Sequence, residues 1–472
     1  MTEKAKTKVG FRKILKKLWQ SFLIFNNYAF TISTLFINIV IISNIMWPGE
    51  ELHAAELAFL SGSAMYSMAL SGILFGYLAD KYSRTKLMVI SQLIFGMGLF
   101  LNGFVPSGLG LTTFSYFLIS NLLRSFASGG FQPLINSYAY DSTEESERSQ
   151  FFGLLQALFQ VFQILGMLFS AILFELSLWR EYFWILGTIA FLFGILILLK
   201  AREPKRAGTH SILKDVLKDD NIKYEYKLTR ETIRSTILAP TNIIAFIEGI
   251  FTTILIAVPD FLLIAYIQSG PYNISPLVTS ILLILFGLPG ALFGSLAFAK
   301  ISDKLGQRNI KNRVYMITFS CAIIFGLFTA YFFLPLPYLT HAEGLNIAIV
   351  FAFPVTWGAG LIIFFARGVL GLWNINQPPI LQAINLPEAQ AKITSLNQFL
   401  ELIGSGTGTI LAGSLLILFN GNFQLTATIT MSLGIIGGLM WLVSTLWINK
   451  DVERISLILK ERGKEMNNQQ EK

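Results

Sequence analysis

Apolar runs of about 20 residues or more recur along the whole chain, and each is long enough for an α-helix to cross a hydrocarbon core of roughly 30 Å. With 53% hydrophobic and 14% charged residues, the chain lacks the composition of an ordinary soluble domain. Lipid offers no partner to an unpaired backbone group, and these runs are too long for barrel strands, so we predict an all-α membrane protein. Twelve spans are predicted, at residues 20–46, 55–79, 86–105, 111–138, 150–175, 181–200, 238–267, 276–300, 313–336, 346–374, 391–418 and 424–448.

The distribution of Lys and Arg predicts the orientation of these spans. If the N-terminus is cytoplasmic, the outward-facing intervals hold a single cation, Arg180, and nearly all other cations face inward. We therefore expect both termini in the cytoplasm and a multi-pass location in the cell membrane. The net charge of +8 is then a signal of topology, and no nucleic acid is expected as a partner.

Short motifs recur in the same order in the two halves of the chain. Ala-Asp-Lys at 79–81 matches Ser-Asp-Lys at 302–304, and Arg124 matches Arg367. Such a repeat is typical of transporters built from two pseudo-symmetric halves, here of six helices each. The predicted divisions are an amphipathic N-terminal segment at 1–19, the first half at 20–200, a cytoplasmic linker at 201–237, the second half at 238–448 and a cytoplasmic tail at 449–472.

Residue types that support other chemistries are sparse. Cys321 is the only cysteine, and the three histidines are scattered without a metal-ligand spacing. The chain has no G-x-x-x-x-G-K-[ST] loop and no grouping of nucleophile, base and orienting side chain. We therefore expect no disulfide, metal site, cofactor, enzymatic activity or ATP-driven step on this chain.

The turn after the second predicted span contains a cluster of charged residues. Residues 76–86 read G-Y-L-A-D-K-Y-S-R-T-K. This sequence resembles the G-x-L-a-D-r-x-G-r-[RK]-x-[RK] loop between helices 2 and 3 of major facilitator superfamily (MFS) transporters, with Ser83 and Thr85 as departures. The resemblance implies a secondary transporter that works by rocker-switch alternating access. It also implies that helices 1, 4, 7 and 10 line a central cavity.

The cytoplasmic turns are interpreted as latches of an inner gate. A carboxylate in such a turn can accept hydrogen bonds at a helix N-terminus or pair with a cation. The alternative is that these charges only fix the topology. The predicted gating residues are Gly76, Asp80, Arg84, Glu147, Arg148, Asp303 and Arg308.

Four charged residues lie deep within predicted spans, where each costs several kcal/mol unless it faces water or a partner. Arg124 and Arg367 occupy related positions in the two halves, and a pair of guanidinium forks suits an anionic head group. Glu248 and Glu401 are candidates to load and release a proton. The alternative is that an Arg pairs with one of these carboxylates for structure alone.

Residues 124–130 read R-S-F-A-S-G-G and resemble the R-x-x-x-G-x-G motif of proton-coupled MFS members. In those members the Arg is linked to proton coupling or ligand binding. Two amides complete the predicted binding residues, because Asn397 shares a helix face with Glu401 and Asn27 aligns with Glu248 in the repeat. Polar side chains also hold helices together in lipid, and this is the alternative for both amides.

Within the superfamily, the chain resembles the spinster-like branch through Asn27-Tyr28 in the first span and R-E-P-K-R at 202–206. Phe30 stands where that branch has the Asp thought to carry the proton, so Glu248 is the substitute candidate. The resemblance implies transport of an organic anion or an amphiphilic, lysolipid-like solute, with coupling to protons left open. The alternatives are a drug or metabolite efflux transporter, and a sensor of the same fold that binds solute without moving it. We expect a monomer in contact with membrane lipids.

Overall fold

The computed structural model describes residues 11–142, 145–203, 229 and 233–470, and this part of the chain is helical without strands. Ten of its helices are long and apolar enough to cross a membrane, and an eleventh span follows if two helices bent by 68°, Trp19–Ile37 and Ile39–Met46, are taken together. The remaining predicted span is the helix Leu111–Gly129, whose side chains include the polar Asn121 and Arg124. The predicted all-α membrane fold is confirmed.

The long helices are labelled in chain order. They are α1 (Trp19–Ile37 and Ile39–Met46), α2 (Ala54–Lys81), α3 (Arg84–Asn102), α4 (Leu111–Gly129, followed by Phe131–Ser142), α5 (Glu145–Glu175), α6 (Trp179–Lys200), α7 (Pro240–Gln268), α8 (Pro276–Arg308), α9 (Lys311–Phe332), α10 (Pro354–Ala383), α11 (Pro387–Leu418), α12 (Phe423–Ser444) and α13 (Ile448–Gln470). Short helices also occur at Phe11–Lys17, His341–Gly344 and Ile347–Ala352.

Two boundaries differ clearly from the prediction. The predicted span at 346–374 is shifted, because its first apolar residues form the separate helix Ile347–Ala352 and α10 begins at Pro354, where proline is favoured in the first turn. The predicted tail begins as a helix, α13, that packs onto the protein. Apolar content locates a span well, but it does not mark the residue at which a helix breaks.

Contacts divide the chain into two compact units. The first unit consists of Met1–Ile41, Ile45–Pro48 and Leu70–Glu225, and the second of Ile42–Asn44, Gly49–Ala69 and Tyr226–Lys472. The five divisions drawn from the sequence, including the two six-helix halves, remain a prediction.

Glycines let helices of the first unit approach closely. A Cβ at Gly166 of α5 would lie 1.9 Å from the backbone oxygen of Phe30 on α1, and a Cβ at Gly98 of α3 would lie 2.6 Å from the backbone nitrogen of Arg124 on α4. Backbone atoms cannot move aside as a flexible side chain can, so only glycine fits at these crossings. The two crossings fix α1 and α4, which carry Asn27 and Arg124.

α1 is interrupted near its middle, at Ser33 and Asn38. The Nδ2 atom of Asn38 donates to the backbone oxygen of Thr34 at 3.0 Å and to Ser170 Oγ of α5 at 3.2 Å. A side chain that bonds the preceding turn and a neighbouring helix competes with the regular helical hydrogen bonds. This competition explains the bend of α1.

α7 is the most enclosed of the ten apolar helices, and it packs within the second unit against glycines of α11 and α12. A Cβ at Gly404 of α11 would lie 2.2 Å from the backbone oxygen of Ile250, and a Cβ at Gly434 of α12 would lie 2.4 Å from Leu255 Cβ. The small residues allow close contact without a cavity. α7 is thereby packed closely against α11 and α12.

The first turn of α7 is capped by α13. Asp451 is buried, and its carboxylate accepts hydrogen bonds from the backbone N–H of Thr241 at 3.2 Å and from Thr241 Oγ1 at 2.6 Å. A carboxylate accepts hydrogen bonds from the unpaired N–H groups at a helix N-terminus, and its negative charge is attracted to the positive end of the helix dipole. The end of the chain therefore helps to fix the start of α7.

Candidate functional site

Two carboxylates on neighbouring helices of the second unit share one amide. Gln377 of α10 donates from Nε2 to Glu248 Oε1 on α7 at 3.3 Å and to Glu401 Oε1 on α11 at 3.0 Å. Asn397, one turn before Glu401, donates from Nδ2 to Glu401 Oε1 at 2.6 Å. We call Glu248 and Glu401 the carboxylate pair, and Gln377 is its bridge.

Local sequence explains why the two carboxylates meet. Gly249 follows Glu248 on α7, and its missing side chain leaves room for Glu401, whose Cγ would lie 3.3 Å from a Cβ at that position. Thr252, one turn later, donates from Oγ1 to Glu248 Oε2 at 2.9 Å. Each carboxylate is thus oriented by a residue four positions away on its own helix and by Gln377 from a third helix.

Burial makes the charge state of this pair important. Glu248 has no exposed surface, and the ion pairs of the described residues include neither Glu248 nor Glu401. Two carboxylates held this close without a cation cannot both carry a charge at acceptable cost, since each uncompensated buried charge costs several kcal/mol. The geometry therefore favours a pair that holds at least one proton.

Among the described residues, Arg367 pairs with a different carboxylate and not with Glu248 or Glu401. Its guanidinium forms an ion pair with Asp260 of α7, and both side chains are partly exposed. The alternative reading, in which Arg367 neutralises Glu248 or Glu401, does not match this arrangement. Arg367 and Asp260 instead tie α10 to α7 at a separate point.

Arg124 is the buried cation of the first unit. Its Nε and Nη2 atoms donate to Asn121 Oδ1 at 3.2 and 2.8 Å, and Nη1 lies 3.5 Å from the backbone oxygen of Thr31 on the interrupted α1. The phenol groups of Tyr28 and Tyr182 are near enough to interact electrostatically with it. Among the described residues, no ion pair includes Arg124. All its near partners within this unit are neutral.

The two predicted asparagines lie in different units. Asn27 is buried on α1, and its Nδ2 atom has no hydrogen-bond partner among the described residues. Asn397 is also buried; it bonds Glu401, and its Oδ1 atom has no partner in the same part of the chain. The structure thus joins Asn397 to Glu401 as expected, and it leaves each side chain with hydrogen-bonding capacity to spare.

The inner turn of the first unit uses a carboxylate that the sequence reasoning missed. Glu203 accepts hydrogen bonds from the backbone N–H groups of Arg84 at 2.9 Å and Thr85 at 2.8 Å, and from Ser83 Oγ at 2.7 Å. Glu203 therefore caps the N-terminus of α3 from beyond the end of α6. Its place in R-E-P-K-R, directly after a predicted span, was the available signal.

Of the other residues predicted to form the gate of the first unit, the structure describes Gly76 and the side chain of Arg84. Arg84 is buried at the start of α3. A Cβ at Gly76 would meet no atom closer than 3.9 Å, so packing alone does not require glycine there. The side chains of Asp80, Glu147 and Arg148 lie outside the described residues.

The inner turn of the second unit pairs Asp303 with an unexpected cation. Asp303 Oδ1 accepts from Arg313 Nη2 at 2.8 Å, whereas Arg308 is exposed at the end of α8. Arg313 also donates from Nη1 to Asn376 Oδ1 at 3.2 Å. The matching positions of Arg84 and Arg313, each at the start of the helix after the turn, were the signal for this pair.

The sequence of the chain matches the family model described as Major Facilitator Superfamily over residues 23–366. The chain belongs to the Major Facilitator Superfamily. It is therefore a multi-pass integral membrane transporter of small-molecule solutes and not an enzyme, as predicted. The orientation of its termini remains a prediction.

Individual relatives agree with this assignment. A probable sugar efflux transporter of Helicobacter pylori (strain G27) is 25% identical over 305 residues, which cover 63% of this chain and 71% of that protein. The cis,cis-muconate transport protein of Acinetobacter baylyi is 30% identical over 157 residues, 33% of this chain and 36% of that protein. Both similarities span only part of the protein.

Among solved structures, a bacterial homologue of the human lysosomal transporter Spinster, in an inward-facing and unoccupied conformation, superposes with a TM-score of 0.70. The two sequences are 17% identical, and the match covers 94% of this chain and 99% of that one. At this identity the similarity shows the fold alone. It confirms the predicted MFS architecture.

The cap formed by Glu203 predicts a pH dependence. Burial opposes ionisation of Glu203, but hydrogen bonds from Ser83, Thr85 and Arg84 outweigh it, so the pKa of Glu203 is lowered from its ordinary value. Its stabilising contribution is therefore complete above the unfolded-state pKa of about 4.3 and is lost as the pH falls through the lower folded-state pKa. Glu203→Gln should lower the thermal midpoint at pH 7, and this difference should begin to shrink below about pH 4 and disappear once the pH lies below the folded-state pKa.

The comparison requires thermal unfolding in detergent at several pH values for wild type, Glu203→Gln and a control. Glu461→Gln on α13 removes an equal charge from an exposed position. The control should show no difference that depends on pH. An effect of Glu203→Gln that does not shrink as the pH falls below about 4 would contradict the capping role.

Proposed function

We propose that this transporter couples solute movement to protons and that Glu248 and Glu401 form the proton site. The observation that carries the proposal is the hydrogen bond from one Gln377 amide to both buried carboxylates, without a cation among the described partners. Such a pair holds a proton readily and exchanges it when its access to water changes. Proton binding is then linked to the conformational cycle.

The residues of the pair have distinct roles in this proposal. Glu248 is fully buried and holds a proton most stably when it is shielded from water. Glu401 is partly exposed and is the more accessible member for exchange. Gln377 keeps the two carboxylates close, and Asn397 orients Glu401 through its 2.6 Å hydrogen bond. Alternating access by a rocker switch delivers the pair to one side of the membrane at a time.

For the solute, we propose an organic anion or an amphiphilic molecule with an anionic head group. Arg124 supports this choice, because its near partners in the first unit are the neutral Asn121, Thr31, Tyr28 and Tyr182. A buried guanidinium with neutral partners has donors suited to a carboxylate or phosphate. The relative named for transport of cis,cis-muconate, a dicarboxylate, agrees with this solute class.

A second candidate is efflux of a neutral sugar-like metabolite. The partial similarity to probable sugar efflux transporters of Helicobacter pylori favours it. In this case the amides and phenols of the first unit would bind hydroxyl groups, and the charge of Arg124 would serve structure. The two candidates differ in whether transport requires that charge.

Glu248→Gln should abolish the coupling. The amide preserves the size of the side chain but cannot release a proton, so uptake driven by a pH gradient should fall at least tenfold in proteoliposomes, while solute exchange at equal pH continues. The measurement combines solute flux with an internal pH-sensitive dye. Glu181→Gln, at an exposed position in the first turn of α6, is the matched control and should behave as wild type.

Three results would contradict the proposal in different ways. Coupled flux that survives Glu248→Gln would exclude this residue as the proton carrier. Solute flux without any pH change in wild type would indicate a uniporter or an exchanger. Binding without flux would indicate a sensor.

Arg124 predicts the solute class. Arg124→Ala should abolish transport of anionic solutes, including lysolipids and dicarboxylates, and Arg124→Lys should retain a fraction of it because the charge remains while the fork of donors is lost. Arg202→Ala removes an equal charge from an exposed position beyond α6 and is the control. Flux of a neutral sugar that survives Arg124→Ala, with no flux of any anion in wild type, would favour the second candidate.

A further inference from the structure

Adjacent residues of α10 bond to two separate polar groups in the second unit. Gln377 bridges Glu248 and Glu401, as described above. Asn376, the residue before it, accepts from Arg313 Nη1 at 3.2 Å and donates to Ser302 Oγ at 3.1 Å. Consecutive helical residues point about 100° apart, so one short segment reaches both groups.

The group around Asn376 joins three helices at the inner turn. Arg313 at the start of α9 bonds Asp303 near the end of α8 at 2.8 Å and Asn376 of α10. Gly306 makes this position possible, since a Cβ there would lie 2.3 Å from Arg313 Nε. We call Asp303, Arg313 and Asn376 the inner-turn triad.

The segment is followed by a point of weakness in α10. Pro378 and Pro379 have no N–H to donate, so the backbone oxygens of Asn374 and Ile375 lack their usual helical donors. Consecutive prolines also disturb the preceding turn sterically. A joint rotation of residues 376 and 377 about the helix axis therefore costs less free energy than it would in a helix with all its hydrogen bonds.

The hydrogen bonds that the carboxylate pair can form depend on how many protons it holds. In the present arrangement, Gln377 uses its NH2 group to donate to two carboxylate oxygens. A carboxyl group that has gained a proton is itself a donor, so full protonation of the pair favours a different orientation of the Gln377 amide. Where the change moves the backbone of Gln377 and not its amide alone, it also moves Asn376, with which Gln377 shares a peptide bond.

We propose that Asn376 and Gln377 form a mechanical link through which the protonation of Glu248 and Glu401 controls the inner-turn triad. The link rests on the proposed proton site. Asn376 is a positioning residue: it touches neither carboxylate and acts by holding or releasing Arg313. Loss of a proton favours the arrangement seen here, with Asn376 on Arg313, and full protonation of the pair releases it.

Among the residues that the structure describes, few other titratable groups face the pair. Glu248 is approached by Gln377 from α10, Glu401 from α11, Trp441 from α12 and Cys321 from α9. Of these, only Glu401 and the Cys321 thiol can change protonation, and the Cys321→Ser background used below removes the thiol. A pH-dependent signal that disappears with Glu248→Gln therefore reports on the carboxylate pair.

The test places an environment-sensitive fluorophore at the inner turn. Lys304 is exposed next to Asp303, so a Lys304→Cys variant in a Cys321→Ser background offers one labelling site. Fluorescence is followed as a function of pH in purified full-length protein, and proton uptake is followed in parallel with a soluble indicator. The reference protein should show one fluorescence transition that coincides with proton uptake and is absent in Glu248→Gln.

Asn376→Ala should separate the two signals. We expect proton uptake to remain, because the carboxylates and Gln377 are intact, and the amplitude of the fluorescence transition to fall at least fivefold. Asn376→Asp should keep an ion pair with Arg313 and hold the fluorescence at its high-pH value. Asn374→Ala, an exposed amide two residues earlier on the same helix, is the matched control and should behave as the reference.

The outcomes separate the link from the proton site beneath it. A transition of unchanged amplitude and midpoint in Asn376→Ala overturns the link and leaves the proton site standing. Proton uptake that depends on Glu248 without any fluorescence transition in the reference protein also overturns the link. Absence of proton uptake in the reference overturns the proposed coupling and the link together. If Asn376→Ala does not fold, the locked signal expected of Asn376→Asp decides the question, and a normal transition in that variant overturns the link.

Discussion

The burial of two carboxylates around one amide is the constraint on which the proposed mechanism of this transporter depends. Glu248 and Glu401 come from α7 and α11, and Gln377 reaches them from α10. In a membrane interior, an uncompensated charge costs far more free energy than one hydrogen bond can return. The charge of the two carboxylates must therefore be removed by proton binding or stabilised by water. Close packing of α7 against glycines of α11 holds the carboxylates at this distance, which makes the packing of the helices part of the proton chemistry.

The two units supply polar groups of opposite character. The first contributes the buried cation Arg124 with neutral neighbours, and the second contributes the carboxylate pair. MFS membership fixes transport as the activity, whereas the solute and its coupling follow from these side chains and stand as proposals. The likeness to the Spinster homologue gives the fold but not the proton site, because the two sequences are only 17% identical.

The sequence predicted features that depend on local pattern or on the repeat. Apolar length located the membrane helices, and the spacing of Asn397 and Glu401 placed them on one face of α11, where the structure shows them bonded. Contacts between distant segments were beyond reach, because no local pattern states which helix faces which. Gln377 and Arg313 were not among the predicted site residues. Arg308 was, although within the part of the chain that the structure describes Asp303 pairs with Arg313 and not with Arg308.

We propose that the carboxylate pair carries a proton at neutral pH, and infrared difference spectroscopy of the purified protein can detect that proton. A spectrum of wild type minus a Glu248→Gln, Glu401→Gln double variant at pH 7 isolates the vibrations of these two groups. A pair that holds a proton should give the carbonyl band of a protonated carboxyl group, and this band should shift when water is replaced by deuterium oxide. Beside the amide bands of the two glutamines of the variant, a difference spectrum with bands of ionised carboxylates and no band of a protonated carboxyl group would contradict it, since both members of the pair would then be charged.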